Sequence, residues 1–250
     1  MAYQRAYFPM NVINVTQGYG PKSNHHKLSY ALDLSGQDSG IDEIFAPFDC
    51  KITKLYQPKD TEKHANTIWL TSTQKVLSPN GYYGYITISI THPSEITNMK
   101  KGMIYNQGEK ICNEGKTGNA SGNHIHIEVS KGKTAGWSKK TAPNYDEYVI
   151  SNPVKPEEYL FVKEDAKIKN DSYKGTKYKL IKESDITFKV TDIPSEPLLI
   201  HNKPNYNKNS VIDGGLYNGD EVIKFYETNE MAYIYHYELM GYVAKKYLKK

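Results

Sequence analysis

Apolar and polar positions alternate in short runs along the first 160 residues: VINVTQ (12–17), YALDLS (30–35), CKITKLY (50–56), NTIWLTS (66–72), YITISITH (85–92) and HIHIEVS (124–130). A period of two rich in Val, Ile, Thr and Tyr predicts strands with one apolar face each. Between these runs lie GYGPKSNHH (18–26), SPNGYYG (78–84) and NEGKTGNASGN (113–123). Their Gly, Asn, Pro and Ser content predicts turns. No stretch shows a sustained helical period, and SEITNMKKGM (94–103) is long enough for only a turn or two. The expected architecture is mainly β, with an antiparallel sheet over residues 1–163. Residues 164–182 are lysine-rich and poor in large apolar side chains, which predicts a linker. Beyond it, PLLIHNKP, SVIDGGLYNGDEVIKFYE, MAYIYHYEL and GYVAKKYL are short strands divided by turns. They predict a small β-barrel domain over residues 183–250.

Composition narrows the function classes. Lys and Arg number 32 against 28 Asp and Glu, a formal charge of +4. That balance gives mild attraction to an anionic surface, and no basic block lies in an aromatic setting, so nucleic acid is not an expected partner. Tyrosine, at 22 residues against 6 Phe and 2 Trp, fits half-exposed faces of small sheets and can also stack on ligands. Cys50 and Cys112 are too few for a disulfide framework and are expected as buried free thiols. The N-terminal MAYQRAYFPMNVINVTQGYG carries no apolar core of signal-peptide length, and no run approaches the length of a membrane span. No membrane insertion is expected. A target outside the membrane would then be reached after synthesis in a host cytoplasm, through a holin, lysis or a virion.

The chemistry concentrates in His124-Ile125-His126. A strand sends alternate side chains to one face, so both imidazoles point together while Ile125 faces the core. Asp33 sits in a strand among Ala31, Leu32 and Leu34, where a carboxylate needs a metal, a cation or several hydrogen bonds. The loop pair His25-His26 lies seven residues before it. An imidazole, a carboxylate and a second imidazole with room for water suit a catalytic zinc site. His92 ends a strand just before Pro93, from where it can aim into a cleft as an acid, a base or an oxyanion-stabilising group.

Four segments in this order, SNHHKLSYALDLSG, IFAPFDCKITKLY, ITHPSEITNMKKGMIYNQGEKI and GKTGNASGNHIHIEV, resemble the lysostaphin-type zinc metallopeptidases, and they cover roughly residues 10–130. The resemblance implies a β-rich peptidase fold, a Zn2+ cofactor and bacterial peptidoglycan as the substrate. It implies Asp33 and His126 as zinc ligands and His92 and His124 as catalytic groups. The family's commonest pattern places its first ligand four residues before the aspartate, where this chain has Ser29. A variant pattern places it earlier, ahead of Lys, which implies His26, with His25 as the alternative. The C-terminal residues resemble bacterial SH3-like wall-binding domains at Pro204, Gly219-Asp220-Glu221-Val222, Gly241-Tyr242-Val243 and Tyr247-Leu248. There Tyr206, Tyr217, Tyr226, Tyr233, Tyr235 and Tyr237 are candidate ligand contacts, about half of them facing the core by alternation. His201 and His236 are expected to be structural. The implied function is a zinc endopeptidase cutting peptide bonds of the stem peptide or cross-bridge, as a phage endolysin or tail-associated lysin. Two alternatives stand beside it: a catalytically inactive wall-binding or structural protein on the same fold, and a zinc amidase cutting the sugar–peptide junction.

Overall fold

The computed structural model of the chain describes residues 3–36, 41–134, 136–142, 145–194 and 197–250. It forms two compact units, one of Gln4–Ser78 and Tyr82–Leu180, the other built mainly of Ile181–Lys250.

The first unit holds β1 (Val12–Gln17), β2 (Leu32–Ser35), β3 (Glu43–Phe45), β4 (Cys50–Tyr56), β5 (Thr67–Ser72), β6 (Val76–Leu77), β7 (Tyr83–Gly84) and β8 (Ile86–Thr91). It continues with β9 (Ile104–Tyr105), β10 (Lys110–Asn113), β11 (Ile125–Lys131), β12 (Trp137–Ala142), β13 (Tyr145–Ile150) and β14 (Pro153–Val154). A single helical turn, α1 (Pro156–Tyr159), precedes β15 (Lys167–Asn170), β16 (Ser172–Tyr173) and β17 (Thr176–Lys177). Nine strands make one sheet in the order β15-β1-β2-β11-β8-β5-β4-β9, with β14 beside β11. The runs expected as strands form β1, β2, β4, β5, β8 and β11.

Two features depart from expectation. The sheet is mixed, because β15 joins β1 in parallel. The strand comes from residues 164–182, so that stretch is not a free tether. Asn170 Nδ2 donates to the Val15 carbonyl at 2.6 Å. Tyr178 is buried, and its hydroxyl donates to the Tyr19 carbonyl at 3.0 Å. Lysines dominate the composition there, yet Lys167, Lys169, Lys174 and Lys177 are all exposed. A few inward apolar groups, Tyr173, Tyr178 and Leu180, reach the core and suffice to order the segment.

The period-two pattern has an uncommon consequence in the middle of the sheet. One face is aliphatic: Leu32, Leu34, Ile68, Leu70, Ile86, Ile88, Ile90, Ile125, Ile127 and Val129 form the core. The other face is polar and still buried across β2, β5 and β8. Its threonine hydroxyls pair across strands, Thr53 with Thr71 and Thr71 with Thr87 at 2.9 Å, and Thr67 with Thr91 at 3.2 Å, while Ser89 Oγ has no partner. Such pairing offsets the cost of burying a hydroxyl. The aliphatic face supplies the stability. Ile88→Ala, at a position with 0% exposure, is expected to cost about 2–5 kcal/mol in denaturant unfolding; a negligible loss would contradict the packing described.

The second unit holds α2 (Glu183–Ile186), β18 (Thr187–Val190), β19 (Leu198–His201), β20 (Val211–Leu216), β21 (Glu221–Glu227), β22 (Met231–His236), β23 (Leu239–Ala244) and β24 (Leu248–Lys249). They form an antiparallel sheet ordered β20-β19-β23-β22-β21-β18-β24. Among the described residues no ladder joins β24 to β20, so the expected barrel is an open sheet. Val190, Ile200, Leu216, Val222, Ile234 and Val243 fill its core. Among the candidate contacts, Tyr235 is buried, whereas Tyr206, Tyr217, Tyr226 and Tyr237 are exposed. His201 Nδ1 lies 2.9 Å from the Ser210 hydroxyl, and His236 Nδ1 donates to the Glu221 carbonyl. No helix among the described residues is long and apolar enough to cross a membrane.

Candidate metal centre and its histidines

Strand register builds the site. On the polar face Asp33 of β2 stands opposite Gln17 of β1 on one side and His126 of β11 on the other. His126 in turn stands opposite Thr91 of β8. Directly opposed residues share a face and bring their side chains within reach of one another. His126 Nδ1 lies 3.1 Å from Asp33 Oδ1.

His26 reaches the same point from the loop between β1 and β2. Its backbone is pinned by the Gly20 N–H donating to its carbonyl at 3.1 Å and by its own N–H donating to Ser23 Oγ at 3.0 Å. The loop's far end is held by Glu147 of β13, whose carboxylate accepts from the Leu28 N–H at 2.8 Å and from the Ser29 hydroxyl. Ser29, at the position where the commonest family pattern has histidine, thus serves as a loop anchor. His26 Nε2 lies 3.1 Å from His126 Nδ1 and 3.5 Å from Asp33 Oδ1. His26 is 4% exposed, while His25 faces solvent and is outside this group.

The three atoms form a triangle with edges of 3.1, 3.1 and 3.5 Å. Ligands at zinc–nitrogen distances of ~2.0–2.1 Å and tetrahedral angles stand about 3.3 Å apart. The donor set therefore fits a tetrahedral ion with one position left for water. Gln17 Nε2 also lies 3.3 Å from His26 Nε2. His26 Nδ1 has no hydrogen-bond partner.

The protonation pattern suits ligation by His26 and Asp33. Burial, reinforced by the neighbouring His126, pushes His26 down to about 3, leaving a neutral imidazole. Burial opposes the charge on Asp33, but the hydrogen bond from His126 and the nearby imidazoles outweigh it and hold its carboxyl below the usual range. For His126 burial likewise opposes charge, and Asp33 and Glu128 outweigh it, raising the imidazole to about 10. A bound cation would displace the proton from Nδ1.

His92 and His124 flank the group without joining the triangle. Their rings lie 4.6 Å apart, and His92 is 6.4 Å from His126. His124 Nε2 stands 4.0 Å from Asp33 Oδ2. His92 Nδ1 donates to the Thr117 carbonyl at 2.7 Å, and His124 Nδ1 donates to the Gly122 carbonyl at 2.9 Å. With Nδ1–H committed to a carbonyl, the neutral ring keeps its lone pair on Nε2. Burial lowers His92 to about 4, so it is neutral at pH 7.

His92 adopts φ of +76°, a left-handed conformation that costs a non-glycine residue about 1–3 kcal/mol. A clamp holds it there. Asn66 accepts the His92 N–H at its carbonyl (3.0 Å) and donates Nδ2 to the carbonyls of Pro93 and Ser94. The Thr117 hydroxyl accepts from the Asn66 N–H at 3.0 Å and donates to the Pro93 carbonyl. Gly115 completes the packing, since a Cβ there would meet the Ser94 nitrogen at 2.5 Å and the His92 carbonyl at 2.7 Å.

The structure therefore gathers His26, Asp33, His92, His124 and His126 at one end of the sheet. Sequence reasoning missed Asn66, Thr117, Glu128 and Glu147, which hold them. Only Glu128 carried a signal, as a carboxylate two residues beyond His126 and so on the same face of an alternating strand. Cys50 and Cys112 are buried free thiols, both pushed up to about 12 by burial.

No protein-family model matches the chain. It is 34% identical over 138 residues to Morphogenesis protein 1 of Bacillus phage B103, covering 55% of this chain and 35% of that protein. The chain thus spans about a third of that relative's length. Among solved structures it is similar to lysostaphin from Staphylococcus simulans, with 15% identity over 94% of this chain and 88% of the other at a TM-score of 0.39. The catalytic domain of a prophage-encoded M23 protein from Enterococcus faecalis gives 16% identity over 63% and 97%, TM-score 0.39. A zinc-containing peptidase from Vibrio cholerae gives 20% identity over 52% and 36%, TM-score 0.36. In the order of its motifs and in the residues gathered at the end of its sheet, the chain resembles the lysostaphin-type metallopeptidases.

Proposed function

We propose that the chain is a zinc-dependent endopeptidase that hydrolyses peptide bonds of bacterial peptidoglycan. The convergence of His26 Nε2, Asp33 Oδ1 and His126 Nδ1 beside two further histidines carries this reading. Zinc held by these three residues would supply Lewis acidity to the scissile carbonyl and to a water molecule. The remaining steps belong to the chain. Nε2 of His124 or His92 takes a proton from the attacking water as the C–O bond forms. The resulting imidazolium stabilises the oxyanion and then returns the proton to the leaving amine nitrogen as the C–N bond breaks. Fixing Nδ1 of each ring on a backbone carbonyl keeps Nε2 free for this transfer.

Residues 183–250 would dock on the wall and raise the local substrate concentration, an effective-concentration effect. The exposed tyrosines of the second unit support such a role. Similarity to a phage morphogenesis protein favours delivery as part of a virion over a free lysin.

Clearing of purified cell walls tests the proposal. Metal-stripped protein is expected to be inactive, with clearing restored by about one equivalent of zinc per chain. Mass spectra of the digest should show new amino termini within the peptide portion. Whole stem peptides freed from glycan would instead show an amidase, and no clearing despite bound zinc would leave a wall-binding protein.

A further inference from the structure

Glu128 lies two residues beyond His126 on β11 and so points to the same polar face. It is 2% exposed. Its Oε2 accepts the Ile150 N–H from β13 at 2.7 Å. Its Oε1 has no hydrogen-bond partner and stands 3.7 Å from His126 Nε2. A buried carboxylate with one oxygen unbonded is costly unless a donor or cation faces it.

His126 turns its other nitrogen, Nδ1, toward His26 and Asp33. For Nδ1 to bind a metal, its lone pair must be free and the ring proton must sit on Nε2. Asp33 favours the opposite tautomer, because its Oδ1 accepts from Nδ1–H. Something on the far side of the ring must outweigh it.

We propose that Glu128 is a positioning residue that sets the His126 tautomer: the negative charge of its Oε1, facing Nε2 at 3.7 Å, favours the proton on that nitrogen and leaves Nδ1 open to the metal. The inference rests on the reading of His126 as a metal ligand. Hydrogen-bonded carboxylates behind a ligating imidazole fix the ring and raise its basicity.

A role in the fold alone is separable from this one. The Ile150 N–H needs an acceptor, and the amide oxygen of a glutamine can provide it. In Glu128→Gln that demand turns the amide oxygen toward Ile150 and the NH2 toward His126 Nε2. The nitrogen facing the ring then becomes a donor, which favours the proton on Nδ1, where the metal should bind. An isosteric substitution thus keeps the structural bond and reverses the tautomer preference.

Competition with a chromogenic chelator measures zinc affinity for both proteins. Glu128→Gln is expected to bind zinc about 10–100-fold more weakly, while the unfolding midpoint of the zinc-free protein stays unchanged. Unchanged affinity overturns the proposal. Should the variant fail to fold, nitrogen-15 spectra of the zinc-loaded wild type decide. A slowly exchanging, downfield-shifted proton on His126 Nε2 is expected, and a proton in free exchange with water overturns the idea. If the wild type itself binds no zinc, the ligand reading falls first, and the role of Glu128 falls with it.

Discussion

His126→Ala is expected to lose zinc and wall clearing together. Mass spectrometry of the native protein should show metal content falling from about one per chain to near zero, and turbidity of purified walls should no longer drop. The triangle of His26 Nε2, Asp33 Oδ1 and His126 Nδ1 explains the size of the effect. Without His126 two protein ligands remain, whereas catalytic zinc is held by three with water in the fourth position. The substitution also leaves Asp33, 8% exposed, without the partner that stabilises its charge. An uncompensated buried carboxylate raises its own pKa or admits water, and either weakens what is left of the site. Zinc retained at full stoichiometry would show that the three atoms do not share an ion.

The sheet was legible because its strands largely alternate apolar and polar positions, and ITISIT in β8 shows why the site was legible too. Alternation that is apolar on one side and Thr or Ser on the other predicts a strand with two different faces. The cross-strand rung of Gln17, Asp33, His126 and Thr91 lies on the second of them. His124 and His126 declared themselves by spacing, and Asp33 by its apolar company. The supports were not legible, because each acts across a long sequence separation. Glu147 holds the His26 loop from more than a hundred residues away, and Asn66 and Thr117 clamp His92 from opposite sides of it in sequence. Residues 164–182 misled for a different reason. Their composition is that of a tether, but strand addition at a sheet edge needs only backbone groups and a few inward side chains. The C-terminal runs predicted strands correctly, whereas closure into a barrel depends on pairing between its outermost strands, which period alone does not specify.

His124→Ala is expected to give the opposite signature to His126→Ala: zinc kept near one per chain, clearing slowed by about 10²–10⁴-fold, the range for loss of a general acid–base group. Its ring stands outside the triangle, and Nε2 is 4.0 Å from the far oxygen of Asp33, too long for a hydrogen bond that the metal group would need. Anchoring of Nδ1 on the Gly122 carbonyl means the side chain contributes one free nitrogen to the cleft and little to the fold. His92→Ala separates the two histidines. Loss of the His92 ring also removes the bond to the Thr117 carbonyl that helps hold a strained backbone, so a fall in unfolding midpoint should accompany its loss of activity. The base in the transfer should be the histidine whose removal costs more in the metal-loaded protein at equal stability. Should both variants clear walls at the wild-type rate with zinc bound, proton transfer through these imidazoles would be excluded, and the water would have to be activated by the metal and its carboxylate ligand alone.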